Sequence, residues 1–400
     1  MKLAFVVQRY GPEIAGGSEI HCREIARRLS ARHEITVLTS CASDYVSWRN
    51  TFPPGETRDG DVRLLRFAVR EPRNLHAFAD LSDEVFDGGA PPERQEAWFA
   101  ANGPDVPDLL EHLRRHGRSY DLVLFWTYRY SPSFFGVPIV KERAVLLPTA
   151  EEDRAIDLDV LGEFFALPAG YLFLTPEEQA LITSRAARAL PHSSIIGMGL
   201  DPASPLNGRS LLDANGIPSE YLLYMGRVDR NKGCHTLLEH FHNYSWKFST
   251  DDVALVLAGP AKMRVPTHTR IRALGYVSDE LRRALLAHAR VLVVPSPYES
   301  LSIALLEGWN YGVPAVVNAR CAVLEGQVRR ANGGLPYRSV EEFCEALAYF
   351  HQHPTERRVI GEQGRAYVER EYRWPVVIER VERLLGDVVE GQRSKVKGQK

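Results

Sequence analysis

The chain has 400 residues, 44% of them hydrophobic and 25% charged, and its net charge of −2 comes from interleaved rather than massed charges. That length exceeds what one core usually organises, so two α/β domains of roughly 180–200 residues each are expected, and the charge pattern excludes a general nucleic-acid binder. Five scattered cysteines without a C-x-x-C pair exclude a disulfide framework and zinc or redox motifs, and no apolar run has the length of a signal segment or a membrane span, which reads as a cytoplasmic protein with at most peripheral contact to the inner membrane face.

In chain order, Leu3–Val7 reads as a buried strand, residues 11–17 as a glycine-containing loop, and the residues after Ser18, its expected N-cap, as a helix through Ile20, Ile25 and Leu29. A second strand at Glu34–Thr39 makes this a βαβ unit and implies a parallel sheet. Further strands are expected at Val62–Phe67, Leu122–Phe125, Ala144–Leu147 and Tyr171–Leu174. Residues 45–101, rich in Pro, Gly and aromatics, read as an irregular insertion of the kind that carries partner or acceptor contacts. After Gly197–Asp201 a second series begins, with strands at Tyr221–Met225, Ala254–Ala258, Ile271–Leu274, Val291–Pro295 and Ala315–Asn318. The fold class is therefore α/β, two doubly wound halves whose ligands gather at the carboxyl ends of the strands. The polar, basic stretch 391–400 reads as an unstructured tail.

Two segments carry chemistry. In Pro295–Glu307 a strand end is followed by a turn and a helix that starts near Ser300 or Ser302, and the free N–H groups of such a start form an anion site. Glu299 precedes it and Glu307 lies two helical turns further on, so the pair either holds sugar and ribose hydroxyls of a nucleotide sugar or is a dipole partner and an ordinary helix charge. In Tyr224–Gly233, Arg227 and Lys232 flank a turn at another strand end, and two cations suit a diphosphate leaving group in place of a metal ion. No Asp-x-Asp metal motif stands in a suitable strand-end context; that of Asp157-x-Asp159 is a poor one. Gly16 and Gly17 let backbone approach a ligand or simply make a tight turn; they are not a G-x-G-x-x-G fingerprint. Phe125, Trp126, Tyr128 and Tyr130 read first as core packing and second as an acceptor-stacking cluster. His21, His192 and His235 lack metal spacing and read as surface or capping residues.

Taken together, GGSE after the first strand, GRVDRNKG at the second series, LGYVSDELRRALLAHARVLVVPSPYESLSIALLEGWNYGVPAVV and the GMGLD junction resemble the family 4 retaining glycosyltransferases of the GT-B fold. The resemblance spans most of the chain and is poorest over 45–101. It implies an acceptor-side Rossmann-like domain over 1–196, a nucleotide-sugar domain over 197–372 and a C-terminal helix, 373–390, that crosses back to the first domain. It further implies metal-independent transfer, with retention, from a UDP- or GDP-sugar to a carbohydrate or glycolipid acceptor, as in polysaccharide assembly, with no tightly bound cofactor. By the same resemblance Glu299 contacts the donor sugar, Glu307 the ribose, and Arg227 and Lys232 the diphosphate. The amides of Ser300, Leu301, Ser302 and Ile303 and of Gly17 assist, and Tyr276–Val277 pairs with the base through its backbone. One departure stands out: in Leu147–Asp153, Glu151 occupies the place of a histidine that touches the donor sugar in many relatives. A carboxylate accepts from a hydroxyl but donates only when protonated. The alternatives are a non-catalytic nucleotide-sugar-binding partner and a same-fold epimerase or phosphorylase.

Overall fold

In the computed structural model, which describes residues 1–204 and 208–398, short apolar runs become strands covered on both faces, as parallel sheets require. The first sheet holds β1 (Lys2–Val6), β2 (Glu34–Ser40), β3 (Gly55–Asp59), β4 (Val62–Phe67), β5 (Leu122–Trp126), β6 (Ala144–Leu147), β7 (Gly170–Phe173) and β8 (His192–Ile195). Its order is β3-β4-β2-β1-β5-β6-β7-β8. All neighbours are parallel except β3, which pairs antiparallel with β4 and covers the sheet edge with the exposed, charged sequence GETRD. The second sheet holds β9 (Tyr221–Met225), β10 (Ala254–Ala258), β11 (Ile271–Gly275), β12 (Val291–Val294), β13 (Ala315–Asn318) and β14 (Gly334–Tyr337), in the order β11-β10-β9-β12-β13-β14. Both are doubly wound Rossmann-like arrangements in which strand order reverses beside the first strand of each series.

The chain divides into two compact units, Met1–Gly197 joined by the residues from Val377 onward, and Met198–Val376. The first core gathers Val6, Leu38, Phe125, Leu146 and Phe173 from the sheet with Trp98, Phe99 and Phe134 from the helices; Phe99 and Phe134 stack with ring centroids 3.9 Å apart. The second gathers Leu222, Leu255, Val293 and Val316 with Leu237, Phe241 and Phe343. The helix Trp374–Gly398 contributes Val377, Val381, Leu384, Leu385 and Val388, all buried. Among the described residues no helix is long and apolar enough to cross a membrane.

Several elements differ from the sequence reading. The first helix starts at Gly17 with Gly16 as its N-cap, so Ser18 is inside the helix and its hydroxyl donates to Glu19. Residues 45–101 are ordered rather than irregular: besides β3 and β4 they form the helices Leu75–Asp87 and Pro92–Asn102. Asn74 caps the first by accepting from Ala77 N at 3.1 Å, and Pro92 opens the second. The Pro and Gly clusters that suggested irregularity are the breaks between these elements. The stretch from Gly391 continues the last helix as far as Gly398, with Gln392 Nε2 donating to the Glu142 carbonyl at 2.6 Å; its Gln, Arg and Lys are good helix formers that extend a helix already docked by its apolar face.

Candidate functional site

At the carboxyl end of β9 the chain makes a tightly determined turn. The buried Tyr224 hydroxyl donates to the Arg227 carbonyl at 2.7 Å, and burial raises its pKa so that it keeps its proton. Asp229 holds both residues: one oxygen accepts from the backbone N–H of Lys232 at 2.8 Å and the other from the Arg227 guanidinium. Gly233 then turns with φ +72°, and a Cβ there would lie 2.3 Å from the carbonyl oxygen of Pro295. Only glycine permits that approach. The same Pro295 carbonyl, just past β12, accepts from Asn318 Nδ2 at 3.1 Å. The two strand ends are thereby pressed together, and Lys232 Nζ donates to Glu299 Oε1 at 2.9 Å, with the two side chains 28% and 13% exposed.

The helix after Glu299 spans Ile303–Asn310, and its N-cap is Ser302, whose hydroxyl accepts from Leu305 N at 3.3 Å. Glu299, Ser300 and Leu301 therefore lie in the turn before the helix, and counting two helical turns from Glu299 to Glu307 does not apply. What relates them is the turn's path. Leu301 is buried, so it offers a ligand its backbone alone. Glu307, on the helix, accepts from the Arg282 guanidinium. Arg282 stands on the helix Asp279–His288, capped by Ser278. Burial works against this guanidinium, but Glu307 and Asp279 outweigh it and its pKa lies above the ordinary value. That helix follows Tyr276 and Val277 directly, and Tyr276 is 84% exposed. The second unit thus brings Arg227, Lys232 and Glu299 into one cluster and ties Glu307 to the segment after β11 through Arg282.

Gly16, Gly17 and Glu151 belong to the first unit. A Cβ on Gly16 would meet Glu19 Oε2 at 2.0 Å, because a buried network fills this corner. Arg9 Nη2 and Gln8 Nε2 donate to Glu19 Oε1 at 2.6 and 2.9 Å, and Thr127 Oγ1 donates to Gln8 Oε1 at 3.0 Å. Thr127 and Thr149, just past β5 and β6, have φ of +63° and +47°, a strained conformation for β-branched residues that costs about 1–3 kcal/mol and concentrates at functional loops. Glu151 follows Thr149 and is partly buried. Its loop is anchored by Glu178, 1% exposed, which accepts from Ala150 N at 2.7 Å and Leu174 N at 2.6 Å. Burial pushes the Glu178 pKa up to about 8, partly offset by those backbone donors.

His21 is a correction. It is 3% exposed, accepts from Trp126 Nε1 at Nδ1 (3.2 Å) and donates from Nε2 to the Gly197 carbonyl (2.9 Å). Those partners define its tautomer, and burial lowers its pKa to about 4. Phe125, Trp126 and Tyr128 are core residues, whereas Tyr130 lines a cavity of the first unit.

Sequence reasoning missed Gln8, Arg9, Glu19, Glu178, Asp229 and Arg282. Polar residues directly after a strand, as in Gln8–Arg9 and Asp229, were the available signal. Nothing local distinguishes Glu178 or Arg282 from ordinary helix charges. Among the described residues no group of three or more His, Cys, Asp or Glu side chains is arranged to hold a metal.

Residues 219–353 match the family described as glycosyl transferases group 1. Along most of its length the chain is 27% identical to an uncharacterized glycosyltransferase of Methanocaldococcus jannaschii, over 358 residues that cover 83% of this chain and 84% of that protein. Its fold is that of sucrose-phosphate synthase from Thermosynechococcus elongatus, with a TM-score of 0.71 at 16% identity over 98% of this chain and 99% of that one. It is also that of Anabaena HepE in complex with UDP and glucose, with a TM-score of 0.69 at 15% identity, covering 97% and 100%. The fold is GT-B, and residues 219–353 within it carry the match to glycosyl transferases group 1.

Proposed function

We propose that the protein transfers a sugar, with retention and without a metal ion, from a nucleoside-diphosphate sugar to a carbohydrate or glycolipid acceptor. The observation that carries this reading is the meeting of Lys232 with Glu299 at 2.9 Å beside Arg227, where two strand ends of the second unit converge on a helix N-terminus. In the donor complex Arg227 and Lys232 turn to the diphosphate, aided by the amides of residues 300–303. Glu299, released from Lys232, accepts from donor-sugar hydroxyls, and Glu307 accepts from the ribose. Tyr276 and Val277 offer their backbone to the base. As the bond from the anomeric carbon to the phosphate oxygen breaks, the acceptor oxygen bonds to that carbon from the same face. Its proton passes to the departing phosphate, so atoms and charge balance. Within the first unit, Glu151 takes the place of a hydroxyl-binding histidine.

HepE was solved with UDP and glucose, which makes UDP-glucose the first donor to test. A thermal-shift series with UDP-, GDP- and ADP-sugars ranks donors, because a ligand bound to the native state raises stability with the logarithm of its concentration over Kd. One nucleotide series should stabilise the protein and release nucleoside diphosphate on incubation. No stabilisation by any nucleotide sugar would end this reading.

A further inference from the structure

The first unit contains a cavity of about 410 Å³, within the range of small-molecule sites, lined by none of the residues assigned above to the donor. Four of its lining residues lie just past parallel strands: Tyr45 after β2, Arg73 after β4, Tyr130 after β5 and Asp153 after β6. This is the carboxyl end of the sheet, where doubly wound folds bind ligands. The helices of the 45–101 insertion wall it, Leu75–Asp87 with Phe78 and Phe86 and Pro92–Asn102 with Trp98.

Its charge is unbalanced. Three arginines line it against one carboxylate, Asp153, which pairs with Arg129. Arg154 lies over the Phe86 ring at 5.3 Å and pairs with Asp87 at the rim. Arg73 makes no salt bridge among the described residues. Its guanidinium lies 4.6 Å from the Phe78 ring centroid and 5.3 Å from that of Trp48, and donates to Asn102 Oδ1 at 2.8 Å and to the Tyr45 carbonyl at 3.2 Å. Burial lowers its pKa, and the nearby Tyr130 and Asp44 offset this only in part. Arginine forks so held suit phosphate or carboxylate. Partly exposed aromatic faces suit the C–H face of a pyranose, and Asn102 and Asp153 can receive hydroxyls.

We propose that this cavity binds an anionic saccharide, a sugar ring bearing a phosphate or carboxylate, as the acceptor or the part of it nearest the reacting hydroxyl. This rests on the glycosyl-transfer reading for its role, but its binding is measured separately. Calorimetry on the full chain, with UDP as a parallel titrant, compares hexose phosphates, uronates, the neutral hexoses and inorganic phosphate. Anionic sugars should bind roughly tenfold or more tightly than either the neutral sugars or phosphate alone. Arg73→Ala should reduce that affinity roughly tenfold and leave UDP affinity unchanged. Arg154→Ala, at a mostly exposed side chain, does the same if Arg73→Ala fails to fold. A short-prenyl sugar diphosphate binding more tightly than the free sugar phosphate would assign the anion to a lipid headgroup; the reverse order assigns it to a soluble sugar. Equal affinity for neutral and anionic sugars, phosphate binding as tightly as sugar phosphate, or insensitivity to both arginines would each overturn the proposal. If UDP fails to bind, the donor reading falls while the sugar titrations still judge the cavity.

Discussion

Replacing Lys232 with Ala tests the donor site where its geometry is most constrained. Lys232 Nζ is 2.9 Å from Glu299 Oε1, and its side chain is 28% exposed. Partial exposure discounts the pair: its loss leaves Glu299 with some access to water and costs about 0.5–1.5 kcal/mol. That is a fall of about 2–5 °C in melting temperature for a unit of this size. Turnover responds on a different scale. A preorganised cation facing the charge that develops on the leaving diphosphate contributes about 3–4 kcal/mol in a water-poor site, so kcat should fall about 10²–10³-fold. Release of nucleoside diphosphate from the best-stabilising donor, with water as acceptor, measures kcat, while calorimetric melting measures the fold. Lys232→Arg restores the charge and should recover part of the rate. A Lys232→Ala protein that melts normally and turns over within about threefold of wild type would refute the role.

Three further outcomes follow. Glu307→Ala removes the carboxylate proposed to accept from the ribose hydroxyls and should weaken donor binding about tenfold or more by calorimetry; unchanged affinity would remove the ribose assignment. Gly233→Ala places a side chain at φ +72° and 2.3 Å from the Pro295 oxygen, so denaturant unfolding should show a loss of about 2–5 kcal/mol, and a loss below 1 kcal/mol would contradict the close approach. His21, with its pKa lowered to about 4 from 6.5, stays neutral in the folded protein while the unfolded chain takes up a proton. Its contribution is complete above pH 6.5 and is lost as pH falls to 4, about 3 kcal/mol in all. His21→Gln should abolish that part of the pH slope in urea titrations, and identical slopes in both proteins would count against the neutral buried ring.

Strands were the most legible feature. Tyr221–Met225, Ala254–Ala258 and Ala315–Asn318 are continuous apolar runs that only a doubly covered parallel strand accommodates, and they fall where the pattern puts them. The short strand Gly334–Tyr337 and the charged Gly55–Asp59 escaped because neither shows such a run; pairing at a sheet edge, not side-chain pattern, makes them strands. Phe78, Leu81 and Val85 carry a helical period within 45–101, but the neighbouring Pro and Gly clusters concealed it. At the proposed donor site residue types were legible and partnerships were not. Arg227 and Lys232 stand in an evident turn, and Asp229 ties both within three residues, yet the contact of Lys232 with Glu299 joins positions 67 residues apart, beside the close approach of Gly233 to Pro295.

The assignment of residues from Val377 onward to the first unit has a consequence for biosynthesis. Val381, Leu384, Leu385 and Val388, which complete that unit's apolar surface, leave the ribosome only after the whole of the second unit. Units usually fold as they emerge, amino-terminal first. Here the first to be made must wait, with part of its interior uncovered, until the last helix arrives. Chaperone dependence during synthesis should therefore concentrate on the amino-terminal half, and a chain stalled before residue 377 should expose an adhesive patch there even after its second unit has folded.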